Sequence, residues 1–413
     1  MMLFQKNKKE RSNMVTLEKI QEAKSCIQDS VRKTPILNCP KLGAQTGNDV
    51  YFKLENLQQT GSFKLRGALN KIAHLSEEEK KCGVIASSAG NHAQGVALGA
   101  TAKGIKSTIV MPAGAPLSKV RATREYGAEV VLHGAVYDNA YQKALEIQKE
   151  TGAIFLHPFD DEEVIAGQGT IGLEILEQLP DVDAVLVPIG GGGILAGIAT
   201  AIKSVKPEVK VIGVEAAGAA SMTAALAKGE CCDIENCSTI ADGIAVRKVG
   251  YKTLELVKKY VDEVVTVTED EIVQGIFYLL EKSKLVAEGA GASGVAALLA
   301  GKINLKGKKV CAVISGGNVD MNFIEKIVNK ALVLNGQRHE ITVYIPDKPG
   351  EMEKLTRVLH EQNANIIYIS QTKYRASLAI TEVKVDLVVE CRDEAHQEEI
   401  HAALEKNGAR IAK

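Results

Sequence analysis

The run Ala184-Val185-Leu186-Val187-Pro188-Ile189 leads directly into Gly190-Gly191-Gly192-Gly193, and then into Ile194-Leu195-Ala196-Gly197-Ile198-Ala199. A buried strand, four bare backbone units and an apolar helix leave few folds open. A loop with a purely structural role seldom needs four successive glycines, because each one costs backbone entropy. Amides without side chains can instead wrap a phosphate, and the helix dipole adds to the attraction. The loop also fits a second motif. Gly191-x-Gly193-x-x-Ala196 matches a dinucleotide fingerprint, and Glu215 closes the next strand, Val211 to Val214, 19 residues past Ala196. That is where a ribose-binding acid belongs. Spacing alone leaves both readings standing.

Three further stretches bear on the choice. Gly61-Ser62-Phe63-Lys64-Leu65-Arg66-Gly67-Ala68 sets a lysine among small residues and an aromatic, directly after the strand-like Val50 to Glu55. Such a setting suits an amine held against a flat ring, as covalent catalysis through an aldehyde cofactor requires. Ser87-Ser88-Ala89-Gly90-Asn91-His92-Ala93-Gln94-Gly95 follows the apolar Gly83 to Ala86 and predicts a strand end, a polar turn and a helix from near His92. Amides and a hydroxyl at a helix start attract a carboxylate, although Ser and Asn are also ordinary helix caps. Lys309 to Ile314 reads as a buried strand ending in Ser315-Gly316-Gly317-Asn318. A serine hydroxyl there can hydrogen-bond a ring nitrogen without charging it, and ligands gather at strand ends in open α/β sheets. A dinucleotide explains Gly190 to Gly193 but leaves Lys64, Asn91 and Ser315 without a role. A pyridoxal 5'-phosphate site uses Lys64, Asn91, the glycines and Ser315 together.

At these residues the chain resembles the fold-type II pyridoxal-phosphate lyases, most closely the threonine dehydratases (threonine ammonia-lyases), over roughly residues 17 to 328. The resemblance implies an α/β catalytic region of the tryptophan synthase β type, built of two subdomains. It implies that Lys64 carries the cofactor and later removes the substrate's Cα proton. Phe63 would lie by the ring and Asn91 by its phenolic oxygen, with Ser315 facing the pyridine nitrogen. Gly190, Gly191, Gly192, Gly193 and Ile194 would hold the phosphate. Ser88, Ala89, Gly90, Asn91 and His92 would meet the substrate. Serine racemases, the nearest relatives in chemistry, carry a hydroxyl where this chain has Ala89, which favours elimination over racemisation. Racemase-like relatives also hold a cation through two acids, here Glu215 and a position that appears as Ser221. A carboxylate with a hydroxyl makes a poor divalent site, so no metal is expected. Glu215 as a solvated strand-end acid stands beside that reading. Glu288 is either a neighbour of the ring or a buried structural acid.

Alternating strand-like runs and amphipathic helices from Thr16 onward predict parallel α/β layers. Residues 66–158 form the expected inserted small subdomain, hinged at His157-Pro158-Phe159. From His339 the pattern changes. A strand (His339 to Ile345), the turn Pro346-Asp347-Lys348-Pro349-Gly350, a helix (Glu351 to Gln362), two strands (Asn365 to Gln371, Glu382 to Cys391), a helix (Glu394 to Lys406) and a short strand at Ala409 to Ile411 give a ferredoxin-like βαββαβ order. The turn resembles the entry of ACT domains, which bind amino acids or pair subunits. The expected division is an extension at 1–16, a catalytic region at 17–328, a linker at 329–338 and an ACT-like domain at 339–413.

With 46% hydrophobic residues and no long apolar run, the chain can fill several cores without a membrane span. A formal net charge of −1 offers no field for nucleic acid. Met1 to Asn13 is lysine-rich and lacks a secretory h-region. Eight cysteines without paired spacing fit a reducing cytoplasm, and Cys231, Cys232 and Cys237 lack zinc-site spacing. The expected partners are an amino-acid substrate, an amino-acid or nucleotide effector, and further copies in a homodimer or homotetramer. A non-catalytic amino-acid sensor is the alternative from another class, and the intact Lys64, glycine loop and Ser315 speak against it.

Overall fold

The computed structural model describes residues 15–374 and 378–412. Contacts divide it into two compact units, one reaching to Asp320 and the other starting at Met321. In the first, a six-stranded sheet runs in the order Ile36–Asn38, Asp49–Leu54, Lys309–Ile314, Ala184–Pro188, Lys210–Ala216, Glu263–Val267. All neighbours are parallel except the first pair. The three middle strands are fully or nearly fully buried, because helices cover both faces.

A smaller parallel sheet, in the order Glu129–Leu132, Ser107–Met111, Val84–Ser87, Ile154–Phe155, forms the small subdomain. Its boundary is not a clean cut at residue 66. In the Lys64–Ala73 helix, Ala68 and Ile72 join the small sheet's core, Leu65 and Leu69 pack on Ile27, and Phe63, just before it, joins the large sheet's core. The helix that starts at the lysine is therefore shared by both subdomains.

Glycine permits that sharing. A Cβ on Gly167 would lie 2.7 Å from the Gly67 Cα and 2.6 Å from the Arg66 carbonyl oxygen, and one on Gly95 would lie 3.1 Å from the Lys64 carbonyl carbon. A buried charge cluster holds the same helix. The Arg66 guanidinium donates to both oxygens of Glu55 at 2.8 Å and to Glu174 at 2.6 and 3.0 Å. Lys53 donates to Glu174 at 2.6 Å, to the Thr34 carbonyl at 2.7 Å and to Gln178 at 2.8 Å. Two cations and two carboxylates balance in the interior, which makes each partner costly to remove alone.

The second unit contains the helix Met321–Leu334 and then four strands. The linker expected at 329–338 is helix as far as Leu334, because Ile327 and Ala331, one turn apart, are both buried. Strand Arg338–Pro346 then begins one residue before the expected start. The antiparallel sheet runs Asn365–Thr372, Glu382–Glu390, Arg338–Pro346, Arg410–Ile411, with helices Glu351–Glu361 and Glu394–Lys406 between strands. This is ferredoxin-like topology. Its core is apolar, from Ile341, Val343, Leu355, Leu359, Val385 and Leu404 among others.

Candidate active site

The segments carrying Lys64 and Ser315 meet at the carboxyl ends of the large sheet's strands. Strand Lys309–Ile314 delivers Ser315, and the following turn is stitched to the lysine segment. Phe63 N–H donates to the Ser315 carbonyl at 3.0 Å, Gly317 N–H donates to the Gly61 carbonyl at 2.9 Å, and Ser62 bridges Gly316. Ser315 is buried, as is Ser62, whose hydroxyl has no protein partner.

Lys64 is half-buried, with its Nζ 2.8 Å from the Pro158 carbonyl and 5.2 Å from the centroid of the Phe63 ring. Burial pulls its amine down to about 8, against the opposing pull of Glu288. Phe63 itself belongs mainly to the core of the large sheet. The segment His157-Pro158-Phe159-Asp160, expected only as a hinge, lies between the lysine and the glycine loop. A Cβ on Gly191 would fall 2.3 Å from the Phe159 ring, and one on Gly193 would lie 3.0 Å from the Phe159 Cβ. Asp160 receives the Tyr251 and Lys252 amides at the start of the Tyr251–Tyr260 helix, at 3.1 and 2.9 Å. A His-Pro-aromatic-Asp run just past a strand was the available signal for this segment.

Gly192 has φ +92°, a conformation that favours glycine. The loop's carbonyls turn outward, with Gly191 accepting from Thr253 Oγ1 at 2.7 Å and Gly192 from the Ala196 amide at 2.8 Å. Among the described residues, no protein acceptor takes the amides of Gly190 to Ile194. Five amides at the start of the Gly193–Val205 helix suit a phosphate dianion. With an amine pulled towards neutrality and a buried serine at the strand end, these residues fit pyridoxal 5'-phosphate.

The Ser87–Gly95 turn sits over this edge. Helix Asn91–Ala102 begins one residue before His92. Ser88 Oγ accepts the Gly90 amide at 3.2 Å, while Ala89 packs against the small core. His92 is buried, and its Nε2 lies 2.8 Å from the Leu156 carbonyl. Burial and the Lys64 charge hold its ring down to about 3. A neutral imidazole committed to backbone has no charge to offer a carboxylate, so His92 fixes the turn against the small sheet.

Asn91 Nδ2 donates to Glu288 Oε1 at 2.7 Å. Glu288 is buried at the start of the Gly289–Leu299 helix, and burial with Asp242 close by pushes its carboxyl up to about 8. It therefore holds its proton far more tightly than an ordinary glutamate. Glu215 is not a solvated strand-end acid. It is completely buried, and its carboxylate accepts the Met222 amide (2.6 Å), the Thr223 amide (2.9 Å) and the Thr223 hydroxyl (2.7 Å). Its oxygens thus accept from the first turn of the helix Ser221–Lys228. No group of three metal-ligating side chains occurs among the described residues. All eight cysteines are free thiols.

Residues 27–316 match the family described as "Pyridoxal-phosphate dependent enzyme". The chain is 53% identical over 398 residues to the L-threonine ammonia-lyase of Thermotoga maritima, covering 96% of this chain and 99% of that one. Among solved structures it is similar to the processed form of threonine deaminase isoform 2 from Solanum lycopersicum. The TM-score is 0.73 at 39% identity, over 77% of this chain and 96% of that one. Maize serine racemase gives a TM-score of 0.73 at 35% identity, over 78% of this chain and 98% of that one.

Proposed function

The chain belongs to the pyridoxal-phosphate-dependent enzyme family, and on that premise we propose that it is an L-threonine ammonia-lyase. It removes the α-proton and β-hydroxyl of L-threonine to give, after hydrolysis, 2-oxobutanoate and ammonia. L-Serine, which differs by one methyl, gives pyruvate. The observation that carries this reading is geometric: the half-buried Lys64 amine lies 2.8 Å from the Pro158 carbonyl, next to a Phe159 ring packed on a glycine loop whose amides have no protein acceptor among the described residues. Pyridoxal 5'-phosphate, which Lys64 would hold through the cofactor's aldehyde, would supply an electron sink for the negative charge that develops at the substrate's Cα.

The chain's own residues then have distinct tasks. With the substrate in place, the Lys64 amine would remove the Cα proton, and an amine of lowered proton affinity is well matched to that work. The amides of Gly190 to Ile194 hold the phosphate. Asn91 donates to the phenolic oxygen, and Ser315 offers its hydroxyl to the ring nitrogen without charging it. The Ser88 hydroxyl, with the amides of Ala89 and Asn91 at a helix start, receives the substrate carboxylate. Phe63 braces the lysine from the core side. Ala89 has no proton to return to the opposite face of Cα, which supports elimination over the serine racemase alternative.

The C-terminal unit is proposed as an ACT-like regulatory module that takes an amino acid or nucleotide near the Gly350 turn, in a homodimer or homotetramer. Cytoplasmic residence accords with eight free thiols. Among the described residues no helix is long and apolar enough to cross a membrane. Steady-state assays of 2-oxo acid release from L-threonine and L-serine, with and without isoleucine, valine or a nucleotide, test both parts. Rapid D-serine formation in a chiral assay would favour racemisation instead.

A further inference from the structure

Asn318 stands where three distant stretches meet. Its Nδ2 donates to the Thr60 carbonyl at 2.7 Å and to Asn91 Oδ1 at 2.8 Å, with Gln94 Oε1 at 3.4 Å. A backbone carbonyl can only accept, so Thr60 fixes which end of the Asn318 amide is nitrogen. That nitrogen in turn requires an acceptor from Asn91, which commits the Asn91 oxygen. The Asn91 nitrogen is thereby turned to Glu288 Oε1 at 2.7 Å. A primary amide nitrogen carries two hydrogens. One goes to Glu288, and the second remains for another acceptor at the strand edge.

The backbone around Asn318 is built to keep it there. Gly61 has φ +70°, and a Cβ on it would lie 2.4 Å from Asn318 Oδ1, so side chain and glycine are in close register. The Gly317 amide bonds back to the Gly61 carbonyl at 2.9 Å. Asn91 on its own could present either end of its amide.

We propose that Asn318 is the positioning residue that makes Asn91 a hydrogen-bond donor, and not an acceptor, towards the phenolic oxygen of pyridoxal 5'-phosphate. The assignment rests on the cofactor reading given above. Asn318 acts through Asn91 and the Thr60 carbonyl and touches no reacting atom.

The test uses the full chain with Asn318→Asp, which keeps the shape but loses the amide donors, and Asn318→Ala, which removes the group. Apoprotein is titrated with pyridoxal 5'-phosphate, and the dissociation constant, the absorption maximum and the melting temperature are read. Both variants are expected to bind the cofactor about tenfold more weakly, the scale of a buried polar group left unmatched, and to shift the absorption band. In an Asn91→Ala background, Asn318→Ala is expected to add little to either change. Unchanged affinity and spectrum with only a lowered melting temperature, or losses that add in the double variant, overturn the proposal. Should Asn318→Asp fail to fold, Asn318→Ala decides by the same readings. Borohydride reduction of the wild type separates this from the cofactor reading: absence of label at Lys64 removes that reading itself, whereas label at Lys64 with unaltered Asn318 variants removes only the role of Asn318.

Discussion

The two compact units treat polar side chains in opposite ways. In the unit up to Asp320, Lys53, Glu55, Arg66, Glu174, Glu215 and Glu288 all lie in the interior. In the unit from Met321, His396 is the one buried polar side chain among the described residues, and the strand Glu382–Glu390 alternates between core and surface at nearly every position. Buried charge is costly and is a weak source of stability. It is retained where it holds a helix that begins with a lysine of lowered proton affinity, and perturbed groups of that kind gather at functional sites. The smaller unit stands on ordinary hydrophobic burial.

That contrast can be broken most forcefully at Lys64. Replacing it with Ala is expected to lower turnover by about 10³-fold or more, from loss of both the covalent link and the base, in a steady-state assay of 2-oxo acid release. Glu174→Ala is next. It leaves Arg66 and Lys53 facing a single carboxylate, and denaturant unfolding should show a loss of about 3–5 kcal/mol. In the smaller unit the equivalent damage comes from lost volume. Leu359→Ala, at a fully buried position, should cost about 3 kcal/mol, whereas replacing its surface charges such as Arg392 should cost almost nothing.

A pH series sharpens the comparison. The Glu288 carboxyl sits at about 8 in the folded apoprotein against an ordinary 4.5. The folded state therefore keeps a proton that the unfolded chain loses, and stability falls as pH rises through that window. Relative to Glu288→Gln, wild-type apoprotein should lose about 3 kcal/mol between about pH 5 and 7.5, read from denaturant midpoints. A smaller loss than at Leu359 is expected at Gly350, whose φ is +90°. Gly350→Ala should cost about 1–2 kcal/mol and blunt any response to isoleucine, valine or nucleotide, measured as the change in KM for threonine, while basal turnover stays as in the wild type.

Elements with one dominant cause were readable from the sequence. The strand–tetraglycine–helix unit, the strand before Ser315 and the C-terminal βαββαβ order follow from apolar periodicity and glycine punctuation alone. What escaped has a common physical character. Lys53, Glu55, Arg66 and Glu174 look like surface charges one at a time, and only their meeting across a sequence separation of 121 residues makes them a core. Glu215 looked solvated because no local pattern tells that the next helix will lay its first amides on it. The helix through Leu334 overruns the expected linker: its sequence is rich in apolar residues, but only Ile327 and Ala331 are buried, so no clean amphipathic stripe marks its end. Phe159 and Asn318 pack against glycines far along the chain, and a glycine's spacing does not say what fills the room it leaves.

The central claim concerns a single amine, and reduction of the holoprotein with borohydride followed by peptide mapping tests it most directly. The expected result is one pyridoxyl-modified peptide containing Gly61 to Ala68, labelled at Lys64, with the cofactor absorbance lost in step. Label on any other lysine, or a protein that takes up no cofactor and carries no label, would contradict the account.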